Sequence, residues 1–429
     1  MAEPVALSES KSDVDPMNST ATHRYDVIIS GGSYAGLALA LALAQGLDGI
    51  KIAVLDPRPR GPGAPLPDDP RAFALSASSK NLLQAIGIWS TIADTAQAVI
   101  EIEITDSELD AGIRPTLLTY ANTTSEGDTA SFIVPGAPLL AALDARAATA
   151  TGITFCTGTA RDFASGPHGA SVILADGRSI NGSLVVAAEG RRSVLRDAAG
   201  IKLVGWGYEQ TGIVVTVAHE RPHEGHAVQH FLPSGPFAIL PLPGNRSCIT
   251  WSESSTEAQR ILALDDEAFL AEVERRFGGK LGPLTLVAAR ASWPLSMHLA
   301  RSYIAPRLAL VADTAHGVHP IAGQGLNLGL RDVAALAEVV AEAMRVGLDP
   351  GNTETLRHYE RWRRFDSTFS TFAFDGLNRL FSNDWTIVRA ARDLGLGLVD
   401  RMPAVKRMLV SEAAGLTGEL PRLLRGEAL

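Results

Sequence analysis

Two cysteines, Cys156 and Cys248, are all the thiols in 429 residues. They cannot build a disulfide framework, so the fold must stand on its core, and the chain suits a reducing, cytoplasmic compartment. Positive charge is also short. The 38 Lys and Arg against 47 Asp and Glu leave a net charge of −9, which argues against a nucleic-acid partner. No apolar run reaches the ~18 residues needed to span a bilayer. The longest, 35–44, reads as a buried helix. Metal-ligand patterns are missing too. His316 and His319, or His219, His223 and His226, have no cysteine or tight carboxylate set to complete a site. Residues 1–23 are polar and lack the apolar centre of a signal peptide. They read as a disordered tail, and Met17 is an alternative start.

What remains is an ordinary globular composition, 46% apolar and 20% charged, long enough for two domains. Residues 25–30 (YDVIIS) form a short apolar strand. The turn Gly31-Gly32-Ser33-Tyr34-Ala35-Gly36 follows, then a helix over 37–45 and a second strand over 51–55 ending at Asp56. This is the dinucleotide-binding layout. Gly31 serves the tight turn and Gly36 the close helix packing. The amides of Ser33, Tyr34 and Ala35 open the helix on which phosphates rest. Asp56 stands where an acid accepts ribose hydroxyls. The middle glycine is replaced by Ser33, whose hydroxyl either crowds the pyrophosphate or donates to it. The motif alone leaves FAD and NAD open.

Residues 303–336 carry the second cofactor signal. A strand over 308–312 reaches Asp313, then a Pro/Gly loop, then a helix starting near Gly325. Amides at such a helix start suit an electron-rich ligand. Gly323, Gly325, Asn327 and Gly329 are hard to justify in a purely structural helix. Between the nucleotide elements, 99–106, 213–218, 227–231, 237–242 and 247–251 have strand character. A helix over 256–276 and a strand over 284–292 complete that part.

Arg71, in DDPRAFALSASS with Ser76 or Ser78 as helix cap, is placed to reach a pyrophosphate. This stretch resembles flavin-dependent hydroxylases of the UbiH/UbiF type in ubiquinone biosynthesis. Glu189-Gly190 resembles that family's second fingerprint, with glutamate in place of aspartate. Ala312-Asp313-Thr314-Ala315-His316 resembles the third. The run from His319-Pro320-Ile321-Ala322-Gly323-Gln324-Gly325-Leu326-Asn327 through Gly329 to Asp332 matches the ubiquinone-hydroxylase version throughout. The resemblance weakens over 109–137, where 134–137 lacks an expected polar flavin contact.

The resemblance implies an α/β fold: a Rossmann-like FAD-binding domain (24–98, 135–203, 293–350), interleaved with a mixed-sheet substrate domain (99–134, 204–292). A helical segment over 351–429 follows. It implies FAD as cofactor, O2 as co-substrate, and NAD(P)H or a separate reductase as electron donor. The expected activity is hydroxylation of a polyprenyl phenol or benzoquinol through a flavin C4a-hydroperoxide. Asp313 would bond the ribityl chain, and Glu189 and Leu326 would line the cofactor. Pro320, Gly323, Gln324 and Gly325 would surround the ring, with amides near Gly325–Asn327 facing its N1/O2 edge. His316 is expected to bond backbone nearby. His230 and Phe231 are substrate-pocket candidates. The C-terminal helices, with Arg401, Lys406, Arg407, Arg422 and Arg425, suit packing on the FAD domain, a homo-oligomer contact, or docking to a biosynthetic complex or the inner-membrane surface. A hydroxylase of another soluble phenol, a catalytically silent FAD-bearing subunit and a plain NAD-dependent dehydrogenase are the alternatives.

Overall fold

The computed structural model describes residues 24–59, 65–106, 108–110, 114–319, 323–381 and 410–429. The expectations for 1–23, Pro320 and the basic residues Arg401, Lys406 and Arg407 fall outside these.

An eight-stranded sheet holds the nucleotide-binding elements. Arg24–Ser30 lies at its centre, parallel to Ser179–Ala187 on one side and Ile52–Asp56 on the other. Ile153–Thr157 and Leu308–Leu310 extend it in parallel. The helix Tyr34–Gly46 is buried from Tyr34 through Leu43, as its alternation of Ala and Leu with no polar stripe requires. It packs against the long helix Gln324–Arg345 and against Gly136–Thr149.

A nine-stranded sheet follows the order His316–Gly317, Ala291–Ala300, Leu203–His219, Arg246–Ser254, Gly235–Leu242, His226–Leu232, Glu101–Asp106, Thr116–Ala121. Its faces are set by alternation. Ile213, Val215, Phe237, Ile239, Ile249 and Trp251 point one way and pack with Phe269 and Val273 of the helix Asp266–Phe277. Val214, Ala227, Leu242 and Cys248 point the other way, toward Ala72, Ala74 and Ile133 of a small third sheet, Ala72–Ser76 with Ser131–Pro135 and Gln97–Ala98.

Two expected elements are divided. The helix over 256–276 is two helices, Ser255–Leu262 and Asp266–Phe277, because the Asp265 carboxylate accepts from the Ala268 amide and starts a new one. The strand over 284–292 is likewise Leu284–Leu286 and Ala291–Ala300. The latter pairs with Leu203–His219, so residues 293–300 belong to the second sheet and not to the nucleotide-binding segment.

The chain crosses between sheets at one informative place. Leu308–Leu310 ends in the first sheet, a turn of 3-10 helix covers 312–314, and His316–Gly317 pairs with Ala291–Ala300 in the second. The fingerprint around Asp313 is therefore the seam between the sheets.

Candidate flavin site

At the phosphate end, Gly31 adopts φ +117°, and a Cβ there would lie 2.1 Å from the Ala188 carbonyl oxygen. A Cβ on Gly36 would lie 1.9 Å from the Gly31 oxygen. Both positions require glycine. Ser33 starts the helix, is exposed, and makes no capping hydrogen bond. The first-turn amides of Tyr34, Ala35 and Gly36 have no intrahelical partner, which makes this end an anion site. The Tyr34 and Ala35 side chains are largely buried.

Asp56 accepts from the Gly32 amide at 2.9 Å and from Arg58 Nε at 2.8 Å. Burial alone would raise this carboxyl, but the bonds from Arg58 and Gly32 hold it below its ordinary value. Arg58 went unnoticed in the sequence. Its position two residues past the strand-ending acid was the available signal. Arg71 is bound by Asp69 through Nε at 2.8 Å and Nη2 at 2.5 Å, and Tyr34 donates to Asp69 at 2.7 Å. These residues, with Ser33, Leu140 and Trp293, line a cleft of about 310 Å³. Arg71 thus stands at this cleft, bound by Asp69, an acid that sequence reasoning gave no role.

At the flavin end, Asp313 is exposed while Thr314, Ala315 and His316 around it are buried. Ala312 is forced to φ +54°, a conformation that costs a non-glycine residue about 1 kcal/mol or more. The close approach of the long helix accounts for Gly329, where a Cβ would lie 2.7 Å from that of Ala312. Thr314 Oγ1 accepts from the Gly190 amide at 3.0 Å, which joins the second and third fingerprints. His298 Nε2 donates to the Asp313 carbonyl at 2.8 Å.

His316 bonds the Asp332 carboxylate at 2.6 Å, not backbone as expected. Asp332 is fully buried and also accepts from the Ala312 amide at 2.9 Å and from Arg363 Nε at 2.8 Å. A carboxylate that deep must be paired, and the turn is held by this pairing.

The helix Gln324–Arg345 starts at Gly323, which is left-handed at φ +63°. A Cβ there would lie 3.0 Å from that of Ala74. Amides at a helix start have no carbonyl one turn back to bond, so they point out of the helix end. Gly325 differs from Gly323. Its φ is ordinary, and the nearest described atom to a Cβ placed there would be Val318 Cγ2 at 3.9 Å. No described residue outside the helix itself demands glycine there, which leaves room for a ligand to approach. The Asn327 side chain is spent on structure: Oδ1 accepts from the Ser76 amide at 3.0 Å and Nδ2 donates to the Ala74 carbonyl at 2.8 Å. Gln324 and Leu326 are half-buried beside it.

Three further expectations are corrected. The Glu189 carboxylate accepts from Ser30 at 2.7 Å, Ser193 at 2.5 Å and the Leu195 amide at 3.0 Å, so it fastens a strand end to a helix start. His230 pairs in register with Phe237 and so shares its face, toward the helices and away from the Ala72–Ser76 strand. It bonds Thr105 at 2.5 Å, and burial pushes its pKa down to about 4. It is not a pocket residue. Phe231 lies on the other face, the one that carries Ala227 and Leu242, and is buried. His219, read as part of a surface loop, is also buried and bonds the Arg221 carbonyl at 2.7 Å.

A nucleotide-binding sheet whose flavin-end loop crosses into a second, mostly antiparallel sheet is the construction of the two-sheet flavoprotein hydroxylases. The chain belongs to the family whose model is described as an FAD binding domain, matched over residues 24–365, and to its ubiquinone-hydroxylase branch. It is 42% identical to the ubiquinone hydroxylase UbiL of Rhodospirillum rubrum across the whole of both chains. It is 31% identical to the 3-demethoxyubiquinol 3-hydroxylase of Escherichia coli, over 91% of this chain and 98% of that one. The crystal structure of p-nitrophenol 4-monooxygenase PnpA from Pseudomonas putida superposes with a TM-score of 0.76 at 18% identity, covering 92% and 99% of the two chains. The protein is an FAD-dependent aromatic-ring monooxygenase. The glycine-only turn at Gly31, the first-turn amides beyond it, the exposed Asp313 and the unforced Gly325 fit FAD.

Proposed function

We propose that the protein hydroxylates the ring of a polyprenyl phenol or benzoquinol on the route to ubiquinone. The observation that supports this most is the Asp313–Gly325 end of the site, tied to the nucleotide turn through Gly190 and Thr314. In its reduced form, FAD supplies O2 activation for attack on an electron-rich ring. The amides of 31–36 and Arg71 hold the pyrophosphate, Asp56 the ribose and Asp313 the ribityl chain. The amides at Gly323–Leu326 stabilise negative charge at the edge of the flavin ring. The face of the second sheet that carries Phe231 closes the substrate side and keeps water out. Segments 24–98, 135–203 and 301–350 form the FAD-binding domain, and 99–134 with 204–300 the substrate domain. Electrons arrive from NAD(P)H or from a separate reductase; NAD(P)H alone bleaching the flavin absorbance identifies the first.

The deciding experiment is complementation of bacterial strains that each lack one ring hydroxylation, with quinone intermediates identified by mass. Restored ubiquinone in at least one strain is expected. Failure in all of them, with O2 consumption on soluble phenols by the purified protein, would move the reading to a soluble substrate.

A further inference from the structure

The helix Thr353–Phe381 buries Leu356, Tyr359, Arg363, Ser367 and Thr371 against the body of the protein. Its outer side carries Phe365, Phe369 and Phe372 at 81%, 63% and 47% exposure. At 3.6 residues per turn, these three fall within an arc of about 60°. They are the exposed phenylalanines among the described residues, and they fall together on one helix face. A contiguous exposed aromatic strip on a monomer marks a surface that something covers.

Its flank narrows the choice of partner. Arg357, Arg361 and Arg364 are exposed along one edge of the same strip. Arg357 is paired with Glu354 at 2.5 Å, whereas Arg361 and Arg364 have no carboxylate partner among the described residues. The neighbouring acids are turned inward: Glu360 accepts from Ser302 and the Tyr303 amide, and Asp366 pairs with Arg331 and Arg363. A chain with net charge −9 thus presents a locally cationic, aromatic edge. A second copy packed antiparallel on the same face would set arginine against arginine. An anionic phospholipid surface meets both features, with aromatic rings in the acyl boundary and guanidinium groups on the headgroups.

We infer that Phe365, Phe369 and Phe372, flanked by Arg361 and Arg364, seat the enzyme on an anionic lipid surface. The lipid occupant rests on the reading that the acceptor carries a polyprenyl chain, which would reside in that surface.

The test uses the full-length FAD-loaded protein and vesicles of phosphatidylcholine with and without phosphatidylglycerol. Flotation with the anionic vesicles is expected. The triple variant F365S/F369S/F372S, and separately R361E/R364E, should lose at least about tenfold in partition. Both should keep flavin content and turnover of a short-chain quinol in detergent. Equal partition of variants and parent would overturn the assignment. So would a parent that ignores vesicles but becomes smaller in solution when the phenylalanines are removed, which would make the face a contact between copies. Absence of quinol turnover by the parent in detergent would count against the functional reading and leave the partition result standing by itself.

Discussion

Replacing Gly325 by alanine adds a methyl group where no described atom lies closer than 3.9 Å, at an ordinary backbone conformation. Helix propensity alone then favours alanine by about 0.5–1 kcal/mol. The flavin-free Gly325→Ala protein should melt at the same temperature as the parent or slightly above it. Its affinity for FAD should fall by about tenfold, because the methyl occupies the space at the helix start that the ring edge approaches. Titration of the apoprotein with FAD, beside thermal melts with and without it, separates the two effects. Unchanged affinity would remove the flavin from Gly325. Asp313→Ala tests the same end differently. The exposed carboxylate makes no hydrogen bond to the described residues, so its loss should leave the apoprotein's stability unchanged while flavin occupancy after purification collapses. Full occupancy, read from the ratio of flavin to protein absorbance, would show that the ribityl chain is held elsewhere. Gly31 and Gly36 were readable as backbone requirements because a turn motif states its own geometry. Glu189 was not, since a fingerprint position does not say whether its side chain points at the ligand or at Ser30, Ser193 and Leu195.

The helix Gln324–Arg345 anchors the flavin-end turn through one residue. Asp332 binds the Ala312 amide, His316 and Arg363 at once, so the strained turn, the second-sheet strand and the helix Thr353–Phe381 all meet on one carboxylate. Burial alone would raise its pKa, but the charges of His316 and Arg363 and their hydrogen bonds hold it below its ordinary value of 3.8. A carboxyl depressed in the folded state stabilises the protein above that ordinary value, and the stabilisation is lost as pH falls below it. Asp332→Asn should therefore cost about 3 kcal/mol at neutral pH, since it leaves Arg363 and its neighbours without that carboxylate. The deficit relative to the parent should shrink below pH 4. Melting curves from pH 7 down to pH 3 would reveal a constant deficit if the carboxylate's charge were irrelevant. The same element scale explains what the sequence hid. A strand's alternation shows that His230 and Phe231 point opposite ways, but only the neighbouring strand Gly235–Leu242 shows which way faces the flavin. Likewise, Asp265 inside an apolar helical pattern gave a cap signal that the periodicity of 256–276 concealed.

Across the whole molecule, the parallel nucleotide sheet was legible because its strands are short, continuous and apolar, with motifs at their ends. The seam between sheets was not, because His316–Gly317 pairs with a strand whose residues immediately precede the motif that the sequence analysis assigned to the first sheet. The C-terminal residues show how far-separated segments complete the nucleotide-binding body. Leu423 and Leu424 are buried, and the Leu424 carbonyl accepts from Asn81 at 3.1 Å. The Arg422 amide donates to Glu338 at 2.7 Å, and Trp362 Nε1 donates to the Glu419 carbonyl at 3.0 Å. Arg425 pairs with Glu427, which leaves this end less suited than the phenylalanine strip to meet an anionic surface. Removal of residues 421–429 deletes these two buried leucines and exposes the surfaces of Ala77–Ala85 and Gln324–Arg345 that they cover, together with Gly46, beside which the Leu429 side chain sits. At about 2 kcal/mol for each fully buried leucine, the loss should be about 4 kcal/mol. It should be read as a lower unfolding midpoint in urea. Because the cut lies on the body and not on the strip, vesicle partition of the still-folded fraction should match the parent. A truncated protein that kept its midpoint but left the vesicles would exchange the roles of the two surfaces.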